Sequence, residues 1–354
     1  MEKKTMKALV YHGPNQFSLD DVPVPRILKP TDAIGRVTLS AICTSDVHIV
    51  HGDIKNVITP KILGHEFCVE IVEIGSAVTG LQPGDRAHVL PGTFCGECAY
   101  CKMGVNILCK NDDSGCFGAN GPDGCQAEYI RIPLASDFCI KIPEGLKEED
   151  VILLGDMLAT AWFGVKNARV REGQSVAVIG VGPVGLCACL LAKKVFGAKQ
   201  VIAIDILQYR VELALTEGIA DVGINPHTED LRSKIMQATG GGVDAIIETV
   251  GISETLNMAF AFTKPGGIVS TVAIFAEPVE LPMQEIVYKN LEFRSGIQSC
   301  EGVAEMLQMI QDGKISTKFM QTHRAPLNAI SKGYDIFGNK KEGCVKWLVT
   351  PYEE

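Results

Sequence analysis

Four cysteines crowd into one short stretch, Cys95-x-x-Cys98-x-x-Cys101 and, after seven further residues, Cys109. Thiolates are good zinc donors, and four of them close a tetrahedral site with no open position, an arrangement that holds a fold together rather than doing chemistry. An iron–sulfur cluster is the rival, because clustered cysteines also hold iron. The fourth cysteine, however, is farther away than in the bacterial C-x2-C-x2-C-x3-C run, and no partner for a second cluster is visible. Free thiols are the third possibility. The net charge of -9 argues against a DNA-binding finger. Cys68, Cys116, Cys125, Cys139, Cys187, Cys189, Cys300 and Cys344 show no metal spacing and read mostly as buried thiols.

A second constellation has the form of a nucleotide site. The apolar run Ser175-Val176-Ala177-Val178-Ile179 leads straight into Gly180-Val181-Gly182-Pro183-Val184-Gly185 and then into a helical window over 186–196. In such a strand-to-helix turn Gly180 permits the tight turn, Gly182 leaves room for a pyrophosphate, and Gly185 lets helix and strand approach closely. The helix start offers free N–H groups and a positive dipole end to phosphates. A second apolar run, Val201-Ile202-Ala203-Ile204, ends in Asp205, about 20 residues beyond Gly185. A carboxylate there holds the adenosine ribose hydroxyls and repels a 2′-phosphate, so NAD(H) is the expected cofactor. The plainer alternative is that Asp205 only caps the following helix. Arg210, five residues on, offers a cation to ribose oxygens or to a phosphate.

Positioning these groups calls for two domains. The 354 residues exceed what one hydrophobic core usually reaches, and 46% hydrophobic with 21% charged residues is the make-up of a folded globular chain. Residues 1–150 read as short strands (7–11, 33–41, 68–74 and 127–132) punctuated by Gly and Pro, a mainly β pattern. From about 150 onward helical windows alternate with apolar runs at Ser175–Ile179, Gln200–Ile204, 243–247 and 267–274, which implies a parallel sheet covered on both faces. Beyond about 296 the helices 302–311 and 326–337 and a strand over 344–349 are too few for a domain, so they are expected to return to the N-terminal one.

The acidic balance excludes nucleic acid or an anionic membrane as the main partner and leaves small molecules. Residues 1–7 do not fit a signal peptide, and no apolar run reaches the ~20 residues of a membrane span. A cytoplasmic location follows as the expectation, with the thirteen cysteines serving as ligands and thiols rather than disulfides.

Cys43-Thr44-Ser45-Asp46-Val47-His48 and Gly64-His65-Glu66 are ordinary in isolation, and lone histidines such as His12, His88, His227 and His323 read as structural or surface residues. Together with Pro83-Gly84-Asp85-Arg86-Ala87, the four-cysteine loop and Gly180 to Gly185, however, the two segments resemble the zinc-containing medium-chain alcohol dehydrogenases from Met6-Lys7-Ala8 to the last strand. The fold this resemblance implies is α/β: a GroES-like, mainly β catalytic domain over 1–155 and 298–354, plus a Rossmann doubly wound parallel sheet over 156–297. It also implies two zinc ions, one catalytic and one structural.

By the same resemblance Cys43, His65 and Asp156 bind the catalytic zinc. Many relatives carry cysteine where Asp156 stands, and the aspartate looks more like the bacterial secondary-alcohol dehydrogenases; a carboxylate oxygen also binds zinc. Glu66 either coordinates as an alternating fourth ligand or orients the site, and Asp46 fixes the His65 tautomer. Zinc acts as a Lewis acid on the alcohol oxygen while hydride passes to the nicotinamide. Ser45 and His48 resemble the proton relay to solvent, with His51 a weaker substitute for His48. Thr160 matches a nicotinamide contact and Lys346 a pyrophosphate contact.

The implied substrate is a small alcohol or ketone, and the implied assembly a homotetramer, with a dimer as the alternative. Sorbitol, butanediol or threonine dehydrogenases share most of these motifs. A zinc-free, quinone-reductase-like nucleotide binder lacks the Cys/His/carboxylate set. Pro91, four residues before Cys95, stands where primary-alcohol enzymes carry a bulky aromatic beside the reacting carbon, so secondary alcohols are expected unless Trp162 or Phe67 fills the space.

Overall fold

The computed structural model describes residues 4–55 and 57–352. Part of the signal-peptide reading, residues 1–3, lies outside them. The chain forms two compact units, Met1–Asp156 with Ser316–Glu354, and Met157–Ile315.

The first unit is mainly β. Its sheet of seven strands is built around Ala33–Ile42, eight of whose ten residues are buried. That strand pairs antiparallel with Glu66–Ile74 on one side and with the C-terminal Trp347–Thr350 on the other, so the end of the chain closes the same sheet as its beginning. Arg86–Val89 and Cys139–Lys141 extend the sheet past Glu66–Ile74, His323–Pro326 lies outside Trp347–Thr350, and Tyr129–Ile132 pairs with the first half of Ala33–Ile42. Phe67 and Phe117 meet edge to face at 5.4 Å in the core beneath it. The central strand runs directly into Cys43 and the helix Thr44–His51.

In the second unit six parallel strands lie in the order Val222–Ile224, Gln200–Ile204, Ser175–Ile179, Val243–Glu248, Thr263–Thr271, Glu292–Ser295. Strand order reverses at Ser175–Ile179. A crevice opens at such a switch point, outside the strand ends, and this is where doubly wound sheets bind nucleotides. The apolar runs read as strands are buried because helices such as Pro183–Lys194 and Ser253–Phe262 cover the sheet.

One segment departs from expectation. The helix Val303–Gln311, assigned by sequence to the returning C-terminal segment, belongs to the second unit, and the return falls at Ser316. The reason is local: Gly302 lies flush against the Trp162 indole, Lys166 pairs with Glu301, and Val303, Met306 and Ile310 are buried. Among the described residues no helix is long and apolar enough to cross a membrane.

Candidate metal centre and nucleotide site

Cys43, His65 and Asp156 come from three places in the first unit. Cys43 is the N-cap of Thr44–His51, with its backbone N–H donated to Asp46 Oδ2 at 2.9 Å. His65 precedes the strand Glu66–Ile74, and Asp156 sits in the π-helical turn Leu154–Leu158. Turns of this kind are rare and recur at functional sites.

Their donor atoms converge. Asp156 Oδ2 lies 3.4 Å from Cys43 Sγ and 3.2 Å from His65 Nε2, and all three groups present ligand atoms within 4.8 Å of one another. Bonds of ~2.0–2.3 Å to a tetrahedral zinc put its ligand atoms roughly 3.3–3.7 Å apart, so thiolate, imidazole and carboxylate here fit zinc in spacing and in donor type. Three protein donors leave a fourth position open, the pattern of catalytic sites.

The surroundings hold these donors. Asp46 Oδ1 lies 3.2 Å from His65 Nδ1, which leaves Nε2 to face the other two donors. Gln126 Nε2 donates to Asp46 Oδ2 at 3.2 Å, and the Tyr334 hydroxyl donates to Gln126 Oε1 at 2.8 Å. A chain of hydrogen bonds therefore runs from the C-terminal helix Ile330–Gly338 to Asp46, whose other carboxylate oxygen faces His65. Sequence reasoning missed Gln126 and Tyr334, since nothing in their local sequence marks them as partners of a residue so far along the chain.

Burial pushes the Asp156 carboxyl up, but the hydrogen bond and charge of His65, with help from Lys346, outweigh it and hold the carboxyl down at about 2. Burial likewise favours the neutral imidazole of His65, yet the Asp46 carboxylate and the neighbouring sulfurs hold its pKa well above the usual value.

Ser45 Oγ stands 3.2 Å from both Cys43 Sγ and His65 Nε2. His48, one turn along the same helix, sets Nδ1 2.8 Å from Asp53 Oδ2 and is 30% exposed. Glu66 points elsewhere: its carboxylate pairs with Lys346, both side chains fully buried. The Lys346 ammonium is also 5.8 Å from the centre of the Phe337 ring.

Cys95, Cys98, Cys101 and Cys109 converge as a separate group. Four of their Sγ separations are 3.5, 3.5, 3.9 and 4.0 Å, bracketing the ~3.8 Å edge of a tetrahedron with 2.3 Å zinc–sulfur bonds. All four are free thiols. Burial pushes the Cys109 thiol up, but the N–H groups of Cys95 and Asn111 more than offset it and bring it to about 6, favouring the thiolate that a metal needs.

In the second unit the strand Ser175–Ile179 turns through Gly180 into the helix Pro183–Lys194, with Gly182 at the N-cap. A Cβ on Gly185 would lie 1.9 Å from the Gly180 carbonyl oxygen, so only glycine lets the helix seat this closely on the strand. Val181, Pro183 and Val184 complete the turn. Asp205 does more than its sequence position indicated. Its Oδ2 accepts the Val181 N–H at 2.9 Å and its Oδ1 the Leu207 N–H at 2.8 Å, joining the glycine turn to the loop after Gln200–Ile204. Arg210 is buried, with Nη1 3.8 Å from Asp205 Oδ2. Thr160 lies in the first turn of Ala159–Asn167 in this unit.

Comparison with known proteins gives the class. Residues 29–144 match the alcohol dehydrogenase GroES-like domain and residues 183–312 the zinc-binding dehydrogenase family. An uncharacterized zinc-type alcohol dehydrogenase-like protein of Bacillus subtilis is 34% identical, the match covering 98% of this chain and all of that one. L-threonine 3-dehydrogenase of Bacillus licheniformis is 33% identical, over 98% of this chain and 99% of its own. The solved alcohol dehydrogenase TADH from Thermus sp. ATN1 superposes with a TM-score of 0.89 at 33% identity, covering 98% of this chain and 99% of its own. The chain belongs to the zinc-dependent medium-chain alcohol dehydrogenase family, and is an alcohol-dehydrogenase-like oxidoreductase that acts on small molecules.

Two donor sets, one closed and one open, give an expected result: carefully prepared protein contains two zinc ions per chain by elemental analysis. Cys98→Ser loses one of them and lowers the unfolding midpoint before it alters turnover at the other site. One zinc or fewer in the wild-type chain contradicts this.

Proposed function

We propose that this protein is a zinc-dependent, NAD(H)-linked dehydrogenase that interconverts a secondary alcohol and its ketone. The observation that carries the reading is the convergence of Cys43, His65 and Asp156 at zinc-ligand spacing beside an open position. A zinc ion held there supplies Lewis acidity to the substrate oxygen. Ser45, 3.2 Å from two of the donors, takes up the hydroxyl proton, and the partly exposed His48 hands it to solvent, its ring held by Asp53. The turn Gly180 to Gly185 and the helix behind it cradle the pyrophosphate, and Asp205 supports both the turn and the adenosine ribose.

The preference for NAD(H) rests on the Asp205 carboxylate. NAD+ is expected to give a higher kcat/KM than NADP+, and Asp205→Ser to narrow that ratio by roughly tenfold or more, since a hydrogen bond to a charged group is worth ~1.5–3 kcal/mol. An equal or better kcat/KM with NADP+ in the wild-type protein would move the specificity to Arg210.

Secondary alcohols are favoured by Pro91, which is buried with its Cδ 3.3 Å from the place a Cβ on Gly155 would take, next to Asp156. Phe67, an aromatic that could replace its missing bulk, is engaged elsewhere, fully buried against Phe117. Side-by-side kcat/KM values should rank 2-butanol and 2,3-butanediol about tenfold or more above ethanol, as one pocket position is worth ~1–3 kcal/mol. An ethanol value above both would show this view of the pocket to be wrong. Similarity to L-threonine 3-dehydrogenase favours a second reading, so L-threonine belongs in the same panel.

A further inference from the structure

The ring of His88 lies between the two segments that carry His65 and Asp156. His88 sits on the strand Arg86–Val89, paired with Cys68 on one side and Ile140 on the other, and is buried. Its Nε2 is 3.0 Å from the Gly155 amide nitrogen, one residue before Asp156. An amide N–H only donates, so Nε2 carries the lone pair, and the proton of the neutral ring is on Nδ1. Cys68 Sγ, on the strand that follows His65, is 3.9 Å from Nδ1.

We propose that His88 is a positioning residue, a rigid strut that fixes the separation of His65 and Asp156 by tying the strand Glu66–Ile74 to the turn Leu154–Leu158. The inference rests on reading Cys43, His65 and Asp156 as a zinc site. The packing leaves little slack: a Cβ on Gly155 would stand 2.6 Å from His88 Nε2, so the imidazole lies directly against the backbone of the turn. Zinc–ligand bonds fall within about 0.2 Å of their standard lengths, and outer partners that orient ligands are typically worth 10–100-fold in metal affinity. The strut is distinct from the Asp46 contact, which orients the His65 ring, because it acts on backbone and sets where Asp156 begins.

The test compares His88→Gln, which keeps an acceptor near the Nε2 position, with His88→Leu, which fills space without one. Chelator competition reads zinc affinity at the triad, with the four-thiolate zinc as internal reference. Cobalt exchanged into the triad reads ligand geometry through its visible absorption. His88→Leu is expected to weaken triad metal roughly 10–100-fold and alter the cobalt spectrum while the four-thiolate zinc stays bound, and His88→Gln to remain near wild type. The proposal is overturned if His88→Leu binds triad metal normally with an unchanged spectrum, if both metals are lost together, or if His88→Gln fails as badly as His88→Leu. Should His88→Leu not fold, His88→Asn takes its place, and equal affinity in the Gln and Asn variants overturns the proposal. A wild-type chain that takes up only the four-thiolate metal overturns the zinc reading of the triad itself, and this inference with it.

Discussion

Cys43→Ser should yield a folded chain that carries a single zinc, binds NADH as wild type does, and turns over at least about a thousandfold more slowly. Among the described residues Cys43 is one of three convergent donors, and a serine hydroxyl is a far weaker zinc ligand than a thiolate. The lost Lewis acidity is worth several kcal/mol of transition-state stabilisation, and each 1.36 kcal/mol is a factor of ten. The fold should survive, because Cys43 also caps the helix Thr44–His51 and serine is a favoured N-cap. The backbone N–H that Asp46 accepts is likewise unaffected. Elemental analysis, NADH titration and steady-state turnover on one preparation check all three parts. Turnover within tenfold of wild type would remove Cys43 from the reacting centre.

Lys346→Met should destabilise the protein by about 3–5 kcal/mol, the usual cost of leaving one partner of a buried ion pair without the other. Both Lys346 and Glu66 are fully buried, and Glu66 gains nothing from solvent once the ammonium is removed. In the wild-type chain burial already pushes the Glu66 carboxyl up, to about 7, against the pull of Lys346. Without the lysine it rises further.

The sign of the pH effect follows. The unfolded carboxyl titrates near 4.5 and the folded one well above it, so between those values the folded state binds more protons. The variant should therefore lose stability as pH rises through that window, and lose it more steeply than wild type. Adding Glu66→Gln should recover most of the loss, since removing both charges is far cheaper than removing one. Urea midpoints at pH 5 and 8 for the two single variants and the double decide it. A cost under about 1 kcal/mol, or no recovery in the double variant, would show that the pair does not stabilise the fold as described.

What the sequence made legible was the chemistry whose residues lie close together. The four-cysteine loop and the turn from Gly180 to Gly185 are local patterns, and the structure brings their residues together as their spacing implies. The triad was reachable only through family resemblance, because Cys43, His65 and Asp156 lie on separate elements and no period links them. Contacts set by the sheet register stayed hidden. Trp347–Thr350 pairs with Ala33–Ile42, which carries Lys346 to Glu66 and makes the two a buried ion pair that no local pattern announces. Gln126, which donates to Asp46, and Tyr334, which donates to Gln126, come from distant parts of the chain and stayed hidden too. The misplaced helix Val303–Gln311 shows a related limit: its apolar stripe marks a buried face, but the face says nothing about which unit covers it.

The most direct test of the central claim follows the nicotinamide absorbance of the protein mixed with NAD+ and 2-butanol while zinc is first withdrawn from the triad by mild chelation and then restored. The account predicts that NADH forms in proportion to the second zinc, falls to background in the chain that keeps only its four-thiolate zinc, and returns on reloading. Undiminished NADH formation at one zinc per chain would contradict it.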